Sequence, residues 1–311
     1  MDILSDTLAA LRTGRPSTVR TEARAPWGFR VQAVVGAAFH VVGEGRCLLV
    51  PPTGDPIELG AGDVVFLRRS SGHVLTDSPS SPVVDFAPVP VDAGSPIGRL
   101  VADGPGARTR LLCGAYKLDV DHRHPLLREL PEVIHLPARP GRHPALQATV
   151  DQLCVEMNAP RPGSDAVVGS LMDLLLVYIL RCWYDEQSHE RAGGWAAALT
   201  DPVIAPALHA IHEDPGHPWT VESLGGRAGL SRAAFARRFT AVVGDPPLSY
   251  LTTWRMTTAG RLLRDGDLSL TTVAAKSGYT SELAFAKAFK RHFGAPPGAY
   301  RREARARRPG R

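Results

Sequence analysis

Four cysteines in 311 residues, at positions 47, 113, 154 and 182, never form a Cys-x-x-Cys pair, which argues against a disulfide framework or a zinc ribbon. No run reaches the ~18–20 uninterrupted apolar residues that cross a bilayer. The opening residues Met1-Asp2-Ile3-Leu4-Ser5-Asp6 lack a cationic stretch followed by an apolar one, so a cytoplasmic chain with no membrane partner is expected. No acid–base pair with informative spacing stands out, and an enzyme is not expected. What is present is 44% hydrophobic residues, ample for globular cores, over a length that allows two domains.

Charge divides unevenly between the two ends. Residues 201–311 hold 17 Lys+Arg against 9 Asp+Glu, whereas residues 1–200 hold 19 against 22. A basic C-terminal third fits a polyanionic partner bound largely through phosphates, with strong salt dependence. Part of the excess is the tail from Arg301 to Arg308, read as a solvated run, with a disordered phosphate-touching arm as the alternative.

Between about Phe29 and Asp119, segments such as 29–35, 47–50, 64–67 and 110–113 are short, apolar or β-branched, and punctuated by Gly and Pro, which predicts a barrel or jelly roll. Helical spacing follows at 143–158 and 164–185. In the second of these, Leu171, Leu174, Leu175, Val177, Tyr178 and Trp183 are too apolar for one narrow stripe, so the helix is either sandwiched within the domain or part of a dimer seam. Glu186 to Gly194 is polar and reads as a linker, and a further helix is expected around 202–213.

The C-terminal third contains one pattern twice. Phe235-x-x-x-Phe239-x4-Gly244-x-Pro246-Pro247-x-x-Tyr250 returns as Phe285-x-x-x-Phe289-x4-Gly294-x-Pro296-Pro297-x-x-Tyr300. Each copy follows a short helix and a turn containing Gly229 or Gly278, so each reads as a helix-turn-helix. Ser231 caps the first second-helix, and Thr280 or Ser281 the other; the Phe pairs at i, i+4 bury, leaving Arg232, Arg237 and Arg238, or Lys287, Lys290 and Arg291, toward solvent.

The tandem helix-turn-helix, joined by Leu248-Ser249-Tyr250-Leu251-x-x-x-Arg255-Met256-x-x-Ala259-x-x-Leu262-Leu263, resembles the DNA-binding domain of AraC/XylS transcription regulators over about 219–302. That resemblance implies two second helices in successive major grooves, a nucleoid-associated homodimer, double-stranded operator DNA as partner and RNA polymerase as a further one. It places base contacts at Ala233, Ala236 and Arg237, with Arg232 near a phosphate. In the second module it implies Ser281, Glu282, Leu283, Ala286 and Lys287, with Lys290 and Arg291 also facing DNA. Arg237 can grip guanine O6 and N7, whereas Glu282 has two readings, an acceptor for cytosine N4 or a carboxylate favoured at a helix start.

Upstream, Phe39-His40-Val41-Val42, the turn Leu59-Gly60-Ala61-Gly62-Asp63, Gly72-His73-Val74-Leu75 and Leu112-Cys113-Gly114-Ala115-Tyr116 resemble a cupin of the variant fused to AraC-type readers. His40 stands alone rather than in His-x-His, a departure from metal-rich cupins. His40, His73 and Cys113 are candidates to converge on Zn²⁺ or another transition metal, with buried structural residues as the alternative. Cys113 or Cys47 is a candidate redox sensor if its thiol pKa is lowered.

The expected fold is α+β: a cupin-like β-barrel with C-terminal helices at 1–185, a linker at 186–200, and an all-α tandem helix-turn-helix domain at 201–311. The expected function is one-component, sequence-specific transcription regulation, modulated by a small molecule, metal or oxidant at the barrel. A metal-dependent cupin enzyme with a nucleic-acid-binding appendage is the rival, and a purely architectural DNA binder a third reading.

Overall fold

The computed structural model describes residues 2–14, 16–33, 36–69, 72–90, 97–118, 124–159, 161–188 and 194–306. Asp2 accepts the N–H of Leu4 at 3.1 Å and opens helix α1 (Ile3–Leu11). Strands β1 (Ser17–Arg24), β2 (Gly28–Val31), β3 (Ala37–Glu44), β4 (Arg46–Val50), β5 (Ile57–Gly60) and β6 (Val64–Leu67) come next. They are followed by β7 (His73–Thr76), β8 (Val84–Asp85), β9 (Val89–Pro90), β10 (Ile97–Ala102) and β11 (Arg108–Tyr116). After α2 (Pro125–Glu129) and β12 (Val133–Leu136) come α3 (Pro144–Asn158), α4 (Ser164–Ser188), α5 (Trp195–Thr200), α6 (Ala205–Glu213) and α7 (Val221–Arg227). The chain ends in α8 (Arg232–Val243), α9 (Pro247–Asp265), α10 (Leu270–Lys276), α11 (Glu282–Phe293) and α12 (Pro297–Ala306).

Contacts divide the chain into two units that do not follow sequence order. One comprises Gly14–Val120 and Leu130–Gln187; the other comprises Met1–Thr13, Asp121–Glu129 and Ser188–Arg311. The expected boundary at 185 therefore meets an exception at α1 and α2, which pack with the C-terminal helices. The expected linker is also redrawn: 186–188 end α4, 195–200 form α5, and 189–193 lie outside the described residues. So do 34–35 of the expected strand and 307–308 of the basic tail, whose residues 301–306 belong to α12 rather than to a disordered arm.

In the first unit, a seven-stranded sheet of order β12-β6-β3-β11-β1-β10-β9 faces a five-stranded sheet of order β5-β4-β7-β2-β8. Inward residues of both fill the space between: Ala38, Val42, Val65, Leu111 and Cys113 from one, Phe29, Cys47, Leu49, Leu59 and Leu75 from the other. β3 is buried on both faces because its alternate residues Phe39 and Val41 are covered from outside. The Phe39 ring lies 5.3 Å from that of Tyr116, whose hydroxyl donates to Met172 O of α4 at 2.8 Å. Gly114 on β11 makes room for it, since a Cβ there would sit 2.2 Å from Phe39 Cε1. Asp63 secures the turn before β6 by accepting from Gly60 N at 3.0 Å and Ala138 N at 2.8 Å. By length and composition α4 could cross a membrane, but it buries Met172, Leu175, Leu176, Ile179 and Leu180 as a core helix of this unit, leaving Val167 and Leu174 exposed.

The second unit repeats its core as the sequence repeats its pattern. Phe235 and Phe239 stand 5.4 Å apart with Tyr250 5.8 Å from Phe239; Phe285 and Phe289 stand 5.6 Å apart with Tyr300 5.3 Å from Phe289. Gly244 and Gly294 end α8 and α11 in the left-handed conformation, at φ 84° and 75°, which only glycine adopts without strain. α9 joins the modules over 19 residues, about 28 Å at ~1.5 Å per residue. Buried Arg264 on α9 donates to the carbonyls of Ala10 at 2.6 Å and Arg12 at 3.0 Å, neutralising the C-terminal end of α1, and to Tyr300 Oη at 2.7 Å.

Candidate nucleic-acid interface and barrel site

Both second helices start identically. Ala234 N donates to Ser231 Oγ at 3.4 Å, and Ala284 N to Ser281 Oγ at 3.4 Å, so Ser281 rather than Thr280 is the second cap. The predicted readers fall on the outward faces. Arg232, Ala233 and Arg237 are exposed with Ala236 half-buried; Ser281, Glu282, Leu283, Lys287, Lys290 and Arg291 are exposed with Ala286 half-buried. Leu283 is 66% exposed, unusual for so large an apolar side chain on a well-packed helix.

Partnering separates structural cations from available ones. Arg238 pairs with Asp201 at 3.1 Å, Arg255 donates to Pro215 O at 2.7 Å and His217 O at 2.8 Å, and Arg301 donates to Leu268 O at 2.6 Å. The side chains of Arg232, Arg237, Lys287, Lys290 and Arg291 hold no hydrogen bond or ion pair among the described residues. Glu282 is already engaged, its Oε2 accepting from Thr271 Oγ1 of α10 at 2.8 Å. The sequence reading missed this tie and the Arg238–Asp201 pair; Arg227, stacked 5.0 Å over the Trp219 ring, is a further cation it did not single out.

A family model described as a helix-turn-helix domain matches residues 224–303, and one described as a cupin matches 2–185. An AraC-like transcription regulator of Streptomyces lividans is 35% identical over 97% of this chain and 98% of its own. The chain belongs to the AraC family of transcription regulators. A second AraC-like regulator, from Streptomyces antibioticus, is 34% identical over 97% of this chain and 99% of its own. The solved DNA-binding domain of AdpA, in complex with a target DNA, is 39% identical over 36% of this chain and 99% of that chain, with a TM-score of 0.34. In this AraC-family regulator the cupin match covers the double-sheet unit together with α1 and α2.

Inside the barrel, the structure brings two of the three expected metal ligands together. His40 Nε2 and His73 Nε2 lie 2.7 Å apart, from opposite sheets. Burial drives the His40 imidazole well below its usual pKa, with the neighbouring His73 adding to it, and lowers His73 to about 4, so both rings are neutral at pH 7. Neither Nδ1 has a hydrogen-bond partner among the described residues. Cys113 does not complete the set. It sits opposite His40 in the β3–β11 register, but its Sγ accepts from Thr21 Oγ1 at 3.9 Å, and no group of three His, Cys, Asp or Glu residues suited to a metal occurs among the described residues. Two neutral imidazoles fit part of a transition-metal donor set, yet ligating histidines ordinarily donate the other ring N–H to an acceptor, which is missing here. The redox candidates move the wrong way for reactivity: burial pushes both Cys113 and Cys47 up to about 12, where almost no thiolate exists at pH 7.

Proposed function

We propose that this chain is a one-component, sequence-specific regulator in which α8 and α11 read successive major grooves, roughly one helical turn (~34 Å) apart, and an effector at the barrel biases their presentation. The observation that carries this reading is the duplicated Phe–Phe–Tyr core with partner-free cations on both second helices. Arg237 is the guanine reader; Ala233, Ala236 and Ala286 leave room or meet thymine methyls; Leu283 offers a larger apolar contact to the same group. Lys287 faces base edges, while Arg232, Lys290 and Arg291 neutralise phosphate. Glu282, tied to Thr271, serves as an anchor at the start of α11 and not as the cytosine acceptor.

For the barrel, the polar feature that an effector would meet is the His40–His73 pair, which favours a metal ion or small polar molecule over an oxidant acting on Cys47 or Cys113. The exposed Val167 and Leu174 on α4 support self-association as a homodimer. A cytoplasmic setting with operator DNA and RNA polymerase as partners completes the proposal.

The test is binding of full-length protein to its own promoter DNA and to a random duplex across a salt series, with metal content assayed on the same sample. A promoter preference of ~10³-fold or more is expected, and equal, steeply salt-sensitive binding to both would overturn it. His73→Ala should abolish any stoichiometric metal; unchanged metal content would remove His73 from a metal site.

A further inference from the structure

Between β11 and β12 the chain lends a short segment, His124 with α2, to the helical unit. Its side chains are spent on the first module. His124 is fully buried, edge-on to the rings of Trp195 at 5.3 Å and Trp254 at 6.2 Å and tilted against Tyr250 at 5.8 Å. Leu126 and Leu127 are buried with it. Arg128 Nη2 donates to Asp245 Oδ2 at 2.7 Å. Glu129 receives the Trp195 N–H on both carboxylate oxygens, at 3.0 and 3.1 Å. The close approach requires glycine at 194, where a Cβ would lie 1.7 Å from Glu129 Oε1.

The two polar grips hold the supports of α8. Asp245 directly follows Gly244, the residue that ends α8, and precedes α9. Trp195 begins α5, which packs on α8. A sub-ångström shift of 124–129 therefore pulls on both the end and the back of the first recognition helix. Packed interfaces pass such shifts on because they have few alternative arrangements.

We propose that residues 124–129 form a positioning strap that sets the pose of α8 on DNA, and that, joined to β12 through residues 130–132, it carries changes in the barrel to the first module rather than the second. Arg128 and Glu129 are its positioning residues. The inference rests on α8 being a base-reading helix through Arg237.

The experiment uses full-length protein and a duplex selected from random sequence by the parent protein, with each half-site scrambled in turn. Arg128→Glu should lower discrimination at the first module's half-site about fivefold, the scale of losing one well-placed ion pair, while the other half-site changes less than twofold. The reciprocal swap Arg128→Glu with Asp245→Arg should restore it. Glu129→Gln and Gly194→Ala should reproduce the one-sided loss, and retained reading of the second half-site controls for folding. If Arg237→Ala leaves both half-sites discriminated, the base-reading assignment fails and the strap falls with it. If Arg237→Ala acts as expected but the strap variants change both half-sites equally, change neither, or are not rescued by the swap, the strap itself is overturned.

Discussion

Replacing Tyr250 by Phe removes one oxygen atom from the centre of the helical unit. The hydroxyl is fully buried, 3.2 Å from Trp195 Nε1 and 2.7 Å from His212 Nε2. An indole N–H can only donate, so the hydroxyl accepts there and, with His212 in its Nδ1–H tautomer, donates its own O–H to Nε2. Burial lowers the His212 imidazole to about 3, leaving Nε2 a neutral acceptor. Tyr250→Phe would leave a buried donor and a buried acceptor unmatched, at about 1–3 kcal/mol each, for a total loss of about 2–6 kcal/mol. Tyr300, its counterpart in the repeat, is only half-buried and accepts from Arg264, which keeps its bonds to the Ala10 and Arg12 carbonyls. Tyr300→Phe should therefore cost about 1 kcal/mol. Urea unfolding of the full-length protein, followed by tryptophan fluorescence and far-ultraviolet circular dichroism, measures both. Equal losses in the two variants, or a Tyr250→Phe loss below about 0.5 kcal/mol, would refute the assigned network.

Arg237→Ala should lower affinity and flatten sequence preference by about 1–3 kcal/mol, whereas Lys290→Ala should weaken binding to all duplexes alike and reduce the salt slope by about 1 in competition titrations. Acid should destabilise the helical unit through His212: the unfolded imidazole takes up a proton near pH 6.5 while the buried one resists to about 3. This stability is fully present above pH 6.5 and is lost as pH falls toward 3, the loss reaching about 3 kcal/mol by pH 4.5; His212→Gln should flatten that slope in urea titrations. Gly114→Ala would drive a methyl into Phe39 and should cost the barrel about 1–3 kcal/mol, read as a lowered thermal midpoint.

The helix-turn-helix pair was legible because a repeated pattern carries its own control. Phe235 and Phe239 predict little alone, but with Phe285 and Phe289 at the same offsets they define a core, and Ser231, Gly244 and Gly294 mark its ends. β1 escaped notice because its buried residues include Thr18 and Thr21, so no apolar alternation announces it. α1 carries a cap at Asp2 and apolar Ile3, Leu4, Leu8 and Leu11, yet nothing local says that it docks on α9. The same limit explains Arg238. Helical spacing turns it toward solvent, while Asp201, its partner 37 residues earlier, is brought close only by the fold. His40, His73 and Cys113 were all taken from their places in the cupin-like pattern, and such a pattern does not decide that the Cys113 thiol meets Thr21.

The helical unit's use of the chain's first residues has a consequence for synthesis. α1 leaves the ribosome well before α9, whose Arg264 closes over its carbonyl end about 250 residues later. At ~5–20 residues per second, Ile3, Leu4, Leu8 and Leu11 wait roughly 13–50 s for their binding surface. The barrel strands can pair during that interval, while the helical unit cannot close until α9 has emerged. A nascent chain stalled before α9 would hold a formed barrel and an undocked α1, so the ability to engage DNA arises only once α9 and the helices after it have been made.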